Sequence, residues 1–252
     1  MITALAYSAD SAYYGGLGYG GYGFGWFDPT YMLVIIGLII TLIASANVNA
    51  TFRKYDKKLS RRGLTAAMAA RKILDANGLS NIAIERVSGN LTDHFSPKEN
   101  VIRLSDSTYN STSIAALGVA AHECGHAVQH QVGYAPIRLR NKMVPAVNFC
   151  SRLAIPIIIL GIILSATNLA MFGVILYCAV FAFQLVTLPT ETNASSRAID
   201  TLYSMGILDD DELKGTKKVL GAAAMTYFAS AAATALQLLR LFLIASGNRR
   251  RD

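Results

Sequence analysis

The sequence predicts a mostly α-helical membrane protein, a bundle of transmembrane helices carrying a small α+β domain. Three observations predict it. Apolar residues make up 53% of the chain and charged residues only 15%, against roughly a quarter charged in ordinary soluble domains. The apolar residues gather into long uncharged stretches at 29–52, 153–190 and 219–239. Between the first two lies a charged, mixed-pattern region that contains the motif His-Glu-Cys-Gly-His at 122–126.

Residues 1–28 are read as a Gly/Tyr-rich tail, because the run at 13–27 has too few branched apolar side chains to form a core. The stretch 29–52 is uncharged and long enough to cross the hydrocarbon core at about 1.5 Å per residue. Trp26, Phe27 and Tyr31 stand where an aromatic belt would. Arg53, Lys54, Lys57, Lys58, Arg61 and Arg62 follow within a few residues. Positive charge favours the cytoplasmic flank, so this first transmembrane helix is expected to run from outside to inside. No basic residue precedes Arg53, so no cleavable signal peptide is expected.

The region 53–152 reads as a cytoplasmic domain. Leu64, Met68, Ile73 and Leu74 approximate one helical face, and Gly78 offers a stop. Strands are expected at 82–87 and 101–104, with Ser96-Pro97 opening a turn between them. Ser111 or Ser113 can cap the next helix, which ends at Gly133.

Residues 153–190 are too long for one straight span, and Thr167-Asn168 is a polar break near the middle. A helical hairpin is expected, its basic flank of Arg138, Arg140, Lys142 and Arg152 on the cytoplasmic side. Residues 191–218 are read as a soluble helix and loop, 219–246 as a fourth membrane helix, and 247–252 as a basic C-terminus. Basic residues at both ends of the last helix leave its direction open.

The +7 formal charge belongs to membrane flanks, with no nucleic-acid motif or basic-aromatic stripe beside it, so a nucleic-acid partner is excluded. Cys124, Cys150 and Cys178 are too few and too scattered for a disulfide framework or a Cys-x-x-Cys metal clip.

HExxH on a helix carries specific chemistry. His122 and His126 are four residues apart, hence on one helical face, where both imidazoles can reach a single Zn2+. Glu123 stands beside them as a general base for an activated water. The motif uses two of only four histidines in the chain. Catalytic zinc commonly takes three protein ligands and keeps one open position. The extended HExxHxxGxxH form is absent, since Gln129 and Val132 occupy its last two positions. His130 lies eight residues past His122, over about 10 Å along the axis, too far to join both imidazoles. From 127 to 190 there is no carboxylate, and the first to appear is Glu191. Two crossings return the chain to the side it left, so Glu191 is expected on the face that bears His122. Asp200 and the acids at 209–212 are the alternatives, the latter suiting a solvated helix start.

At these residues the chain resembles the bacterial neutral zinc metallopeptidases of the YugP-like membrane family, which are similar to the wider gluzincin group that includes HtpX-type proteases. The resemblance rests on 91–97 (LTDHFSP), 118–130 (GVAAHECGHAVQH), 188–197 (LPTETNASSR) and 221–227 (GAAAMTY). It implies a zincin-like catalytic core, peptide-bond hydrolysis at the cytoplasmic face and Glu191 as third zinc ligand. In HtpX-type relatives an acid four residues after that Glu supports a zinc-bound His. Here Ser195 stands at that position, with Asn193 nearby. Arg197 and Tyr227 are candidates to steady the oxyanion, against a plain structural role for each.

The expected activity is that of a zinc endopeptidase in the lipid bilayer, acting on peptides or proteins, membrane-protein segments among them. A substrate strand is expected to pair with 101–104. Three other classes compete. An intramembrane protease would need an apolar approach longer than 114–121. A zinc-binding scaffold or chaperone would have no use for Glu123. A transporter would carry an ionisable residue within an uncharged span. Substrate identity and oligomeric state are not legible.

Overall fold

The computed structural model describes residues 29–247, so the Gly/Tyr-rich tail and most of the basic C-terminus lie outside the described residues. Among the described residues six helices and three short strands follow one another. They are α1 (Tyr31–Asp56), α2 (Ala66–Ala76), β1 (Ala83–Val87), β2 (His94–Ser96), β3 (Val101–Ser105), α3 (Ile114–Gln131), α4 (Ala135–Ile163), α5 (Thr167–Ser204) and α6 (Asp210–Gly247). Among the described residues α1, α4, α5 and α6 are long and apolar enough to cross a membrane. Met32, Ile35, Leu38, Ile39, Leu42 and Ile43 of α1 are exposed, as a lipid-facing surface requires.

Small residues set the bundle's spacing. Gly37 on α1 packs against Ala233 on α6, and Gly215 near the start of α6 lies against the Tyr55 ring at the end of α1. Arg240, towards the other end of α6, stacks over Tyr31 with its guanidinium carbon 4.1 Å from the ring centroid. These contacts make α1 and α6 antiparallel, which fixes the direction of α6 relative to α1. Gly161 meets Ala170 and Gly173 meets Ala154, so α4 and α5 form an antiparallel pair.

The hairpin differs from its sequence expectation at both ends. Its turn is at 164–166, with Ser165 in the left-handed region (φ 53°), and Thr167 begins α5. α4 starts at Ala135, well before the apolar stretch, and α5 continues unbroken through Pro189 to Ser204. Proline inside a helix forfeits one backbone bond. Around it the hydroxyls of Thr187, Thr190 and Thr192 donate to the carbonyls of Phe183, Val186 and Leu188 at 2.8–3.2 Å. Glu191 therefore rides on a rigid helix and not on a loop. α6 likewise starts at Asp210, where Glu212 accepts from the backbone N–H groups of Asp209 and Arg61.

The small domain packs α2 and the sheet around α3. Ile73, Leu74, Ile102, Leu104, Ile114 and Leu117 are fully buried in its core. Met68, expected on the inner face of α2, is exposed, and Ala66, Ala69 and Ala70 fill that face. The strand order is β1-β3-β2, with β1 parallel and β2 antiparallel to β3. β3 is the central strand, and Val101, Ile102, Leu104 and Ser105 are buried while Arg103 is half-buried. Its central place removes 101–104 as a docking edge, because both of its sides are taken. Among the described residues this order leaves the outer edge of β2 unpaired, on the strand that touches α3.

Candidate metal centre

α3 opens at Ser113, whose hydroxyl accepts from the Ala116 N–H at 3.1 Å, and Val132 and Gly133 close it. Its inner turn approaches α5 so closely that a Cβ on Gly125 would stand 2.7 Å from the Ala194 carbonyl oxygen. Only a residue without a side chain admits that contact. Cys124 faces the other way, fully buried with its sulfur 3.7 Å from the Ala70 carbonyl. Burial, with Glu123 beside it, pushes its thiol far above the ordinary range, so it is a packing residue and no nucleophile.

The close approach brings three side chains together. The Nε2 atoms of His122 and His126 lie 3.3 and 3.5 Å from the same oxygen of Glu191, Oε2. The two rings meet edge to face with centroids 4.7 Å apart. Glu191 is 3% exposed, and its Oε2 is buried with no hydrogen-bond partner. A buried carboxylate oxygen left unpaired is costly, so the pocket calls for a cation at this point. Tetrahedral ligands about 2.0–2.1 Å from a zinc ion stand roughly 3.3–3.4 Å from one another, close to the spacing observed. The donor set, two imidazole nitrogens and one carboxylate oxygen, fits that ion. Among the described residues this is the one group of three His, Cys, Asp or Glu side chains able to hold a metal.

Each member is held from behind. His122 Nδ1 is 3.1 Å from Ser195 Oγ, and His126 Nδ1 is 3.0 Å from Gln129 Oε1. The other carboxylate oxygen, Oε1, lies 3.7 Å from Arg140 Nη1. Burial works against a proton on His126, but the Glu191 and Glu123 carboxylates outweigh it and raise the imidazole's proton affinity. Glu123 itself is buried beside the two histidines on α3. Tyr227 of α6 lies within electrostatic reach of Glu191, Glu123 and Arg140.

The remaining sequence candidates fall elsewhere. His130 is exposed and edges onto Phe95 at 6.1 Å. Asp200 is exposed, and Glu212 is engaged at the start of α6. Arg197 turns its Nε to Asn193 Oδ1 at 2.9 Å, which gives it a role behind the site and not at its open face. Sequence reasoning missed two residues. Arg140 was absorbed into the basic membrane flank, and Gln129 was given no role at the site. Nothing local marks either, because both act across helices.

Four helices long and apolar enough to cross a membrane, and a His-His-Glu cluster shared by the HExxH helix α3 and α5, fit a membrane zinc peptidase. Residues 30–246 match the family described as "Putative neutral zinc metallopeptidase", and the chain belongs to it. It is similar to "Putative membrane protease YugP" of Bacillus subtilis (strain 168), with 45% identity over 212 residues, covering 84% of this chain and 94% of that protein. No solved structure matches.

Proposed function

We propose that this chain is a multi-pass membrane zinc endopeptidase of gluzincin type, its N-terminus outside and its catalytic site facing the cytoplasm. The observation that carries the reading is the orphaned Oε2 of Glu191 facing two imidazole Nε2 atoms. When bound there, Zn2+ polarises a scissile carbonyl and brings the pKa of water towards neutrality. His122 and His126 would hold the ion through Nε2, their Nδ1 atoms being held by Ser195 and Gln129. Such partners fix ring orientation and raise ligand basicity. Glu191 contributes Oε2, and Arg140 keeps Oε1 turned away.

Glu123 is the general base. It takes a proton from the attacking water and returns it to the leaving amine nitrogen. Tyr227, within reach of both Glu191 and Glu123, is the group assigned to the carbonyl oxygen as it gains charge. A peptide is accommodated in extended form along the free edge of β2, above α3. The site lies where α5 leaves the bundle, which favours unfolded chains and membrane-protein segments as substrates.

The test is Glu123→Gln in full-length protein purified in detergent. It is expected to keep zinc while peptide turnover falls by at least about 100-fold. Equal cleavage by the variant overturns the mechanism, and zinc binding by wild type without hydrolysis of a broad peptide library supports a scaffold instead.

A further inference from the structure

The geometry points to Arg197, Asn193 and Gln129 as a hydrogen-bond relay that sets the tautomer of His126 and ties it to the backbone next to Glu191. This rests on the reading of His126 as a metal ligand.

The relay follows from which groups can only donate or only accept. Arg197 has no acceptor, and its Nε lies 2.9 Å from Asn193 Oδ1, so that atom must be the amide oxygen. Gln129 places one atom 3.0 Å from the same Oδ1 and 2.8 Å from the carbonyl oxygen of Thr190. Both neighbours are acceptors, so the atom is the amide nitrogen, and its two hydrogens are spent on them. Gln129 Oε1 then has one orientation left, 3.0 Å from His126 Nδ1. An oxygen can only accept, so Nδ1 carries the hydrogen and the Nε2 lone pair is turned to Glu191.

The same amide fixes the other side of the site. Thr190 immediately precedes Glu191, so the bond from Gln129 anchors the α5 backbone at the third ligand. Gln129 is fully buried, which leaves water unable to replace any of these bonds. Many histidine ligands lean on a carboxylate. Here the order comes from a neutral amide whose direction is dictated by a guanidinium two residues further along the chain of bonds. Arg197 and Gln129 are therefore positioning residues that act through His126.

The relay needs an acceptor at 193 and not an amide as such. Asn193→Asp keeps it, since a carboxylate accepts from both Arg197 and Gln129, whereas Asn193→Leu removes it. The experiment measures zinc affinity of detergent-purified full-length protein by competition with a chromophoric chelator. It also records the tautomer of His126 in zinc-free, 15N-histidine-labelled wild type at alkaline pH. Asn193→Asp is expected within about threefold of wild type, and Asn193→Leu weaker by about 10–100-fold. His126 is expected to be protonated at Nδ1. Equal affinities for the Asp and Leu variants overturn the relay, and so does a His126 protonated at Nε2, an outcome that needs no variant to fold. If wild type binds no zinc at all, the metal reading fails, while the tautomer measurement still decides the relay.

Discussion

Gly125 on α3 and Ala194 on α5 touch without an intervening side chain, a Cβ at Gly125 falling 2.7 Å from the Ala194 carbonyl oxygen. That contact sets the distance between the helix that bears both imidazoles and the helix that bears Glu191. Gly125→Ala is therefore expected to force the helices apart, costing about 1–3 kcal/mol of stability as an overpacked core does. Zinc affinity falls with it. Thermal unfolding of the metal-free protein, alongside a zinc titration, checks the pair. Unchanged affinity and unchanged melting would remove this glycine from the account.

Arg140 supplies the second prediction. Its Nη1 is the cation facing Glu191 Oε1, and the Glu191 side chain is almost fully buried. Arg140→Met should leave Oε1 without its charge partner and weaken zinc binding by about 10–100-fold, the range found when partners behind metal ligands are lost. Arg140→Lys should recover part of the loss, because it restores the charge without the planar fork. Equal zinc affinity in Arg140→Met and wild type would show that Glu191 needs no such partner.

Orientation is testable by labelling. In a background lacking Cys124, Cys150 and Cys178, a cysteine at exposed Asn90 in the small domain should react only after the cytoplasmic side is opened. One at exposed Ser165, in the α4–α5 turn, should react from outside in intact cells. The reverse pattern would invert the topology.

The parts of this molecule that were legible in the sequence are those governed by local spacing or by order along the chain. His122 and His126 share a face because of the helical repeat, and Glu191, the first carboxylate after the long apolar stretch, is the one that meets them. The caps at Ser113 and the stops at Gly78 and Gly133 are equally local. What escaped is set by packing between distant segments. A change from apolar to charged residues does not end a helix, so α4 extends back to Ala135, α5 runs through Pro189, and α6 begins at Asp210. β2 is three residues long, and only its pairing with β3 makes it a strand. Arg140 and Gln129 look like a flank charge and a helix-surface amide until α5 is laid against them.

The most direct test of the central claim is zinc per chain, measured by mass spectrometry on wild type and on Glu191→Ala after identical dialysis. One zinc in wild type and a markedly substoichiometric content in the variant are predicted, because the two imidazoles alone leave the site one ligand short. One tightly held zinc in Glu191→Ala, equal to wild type, would contradict it.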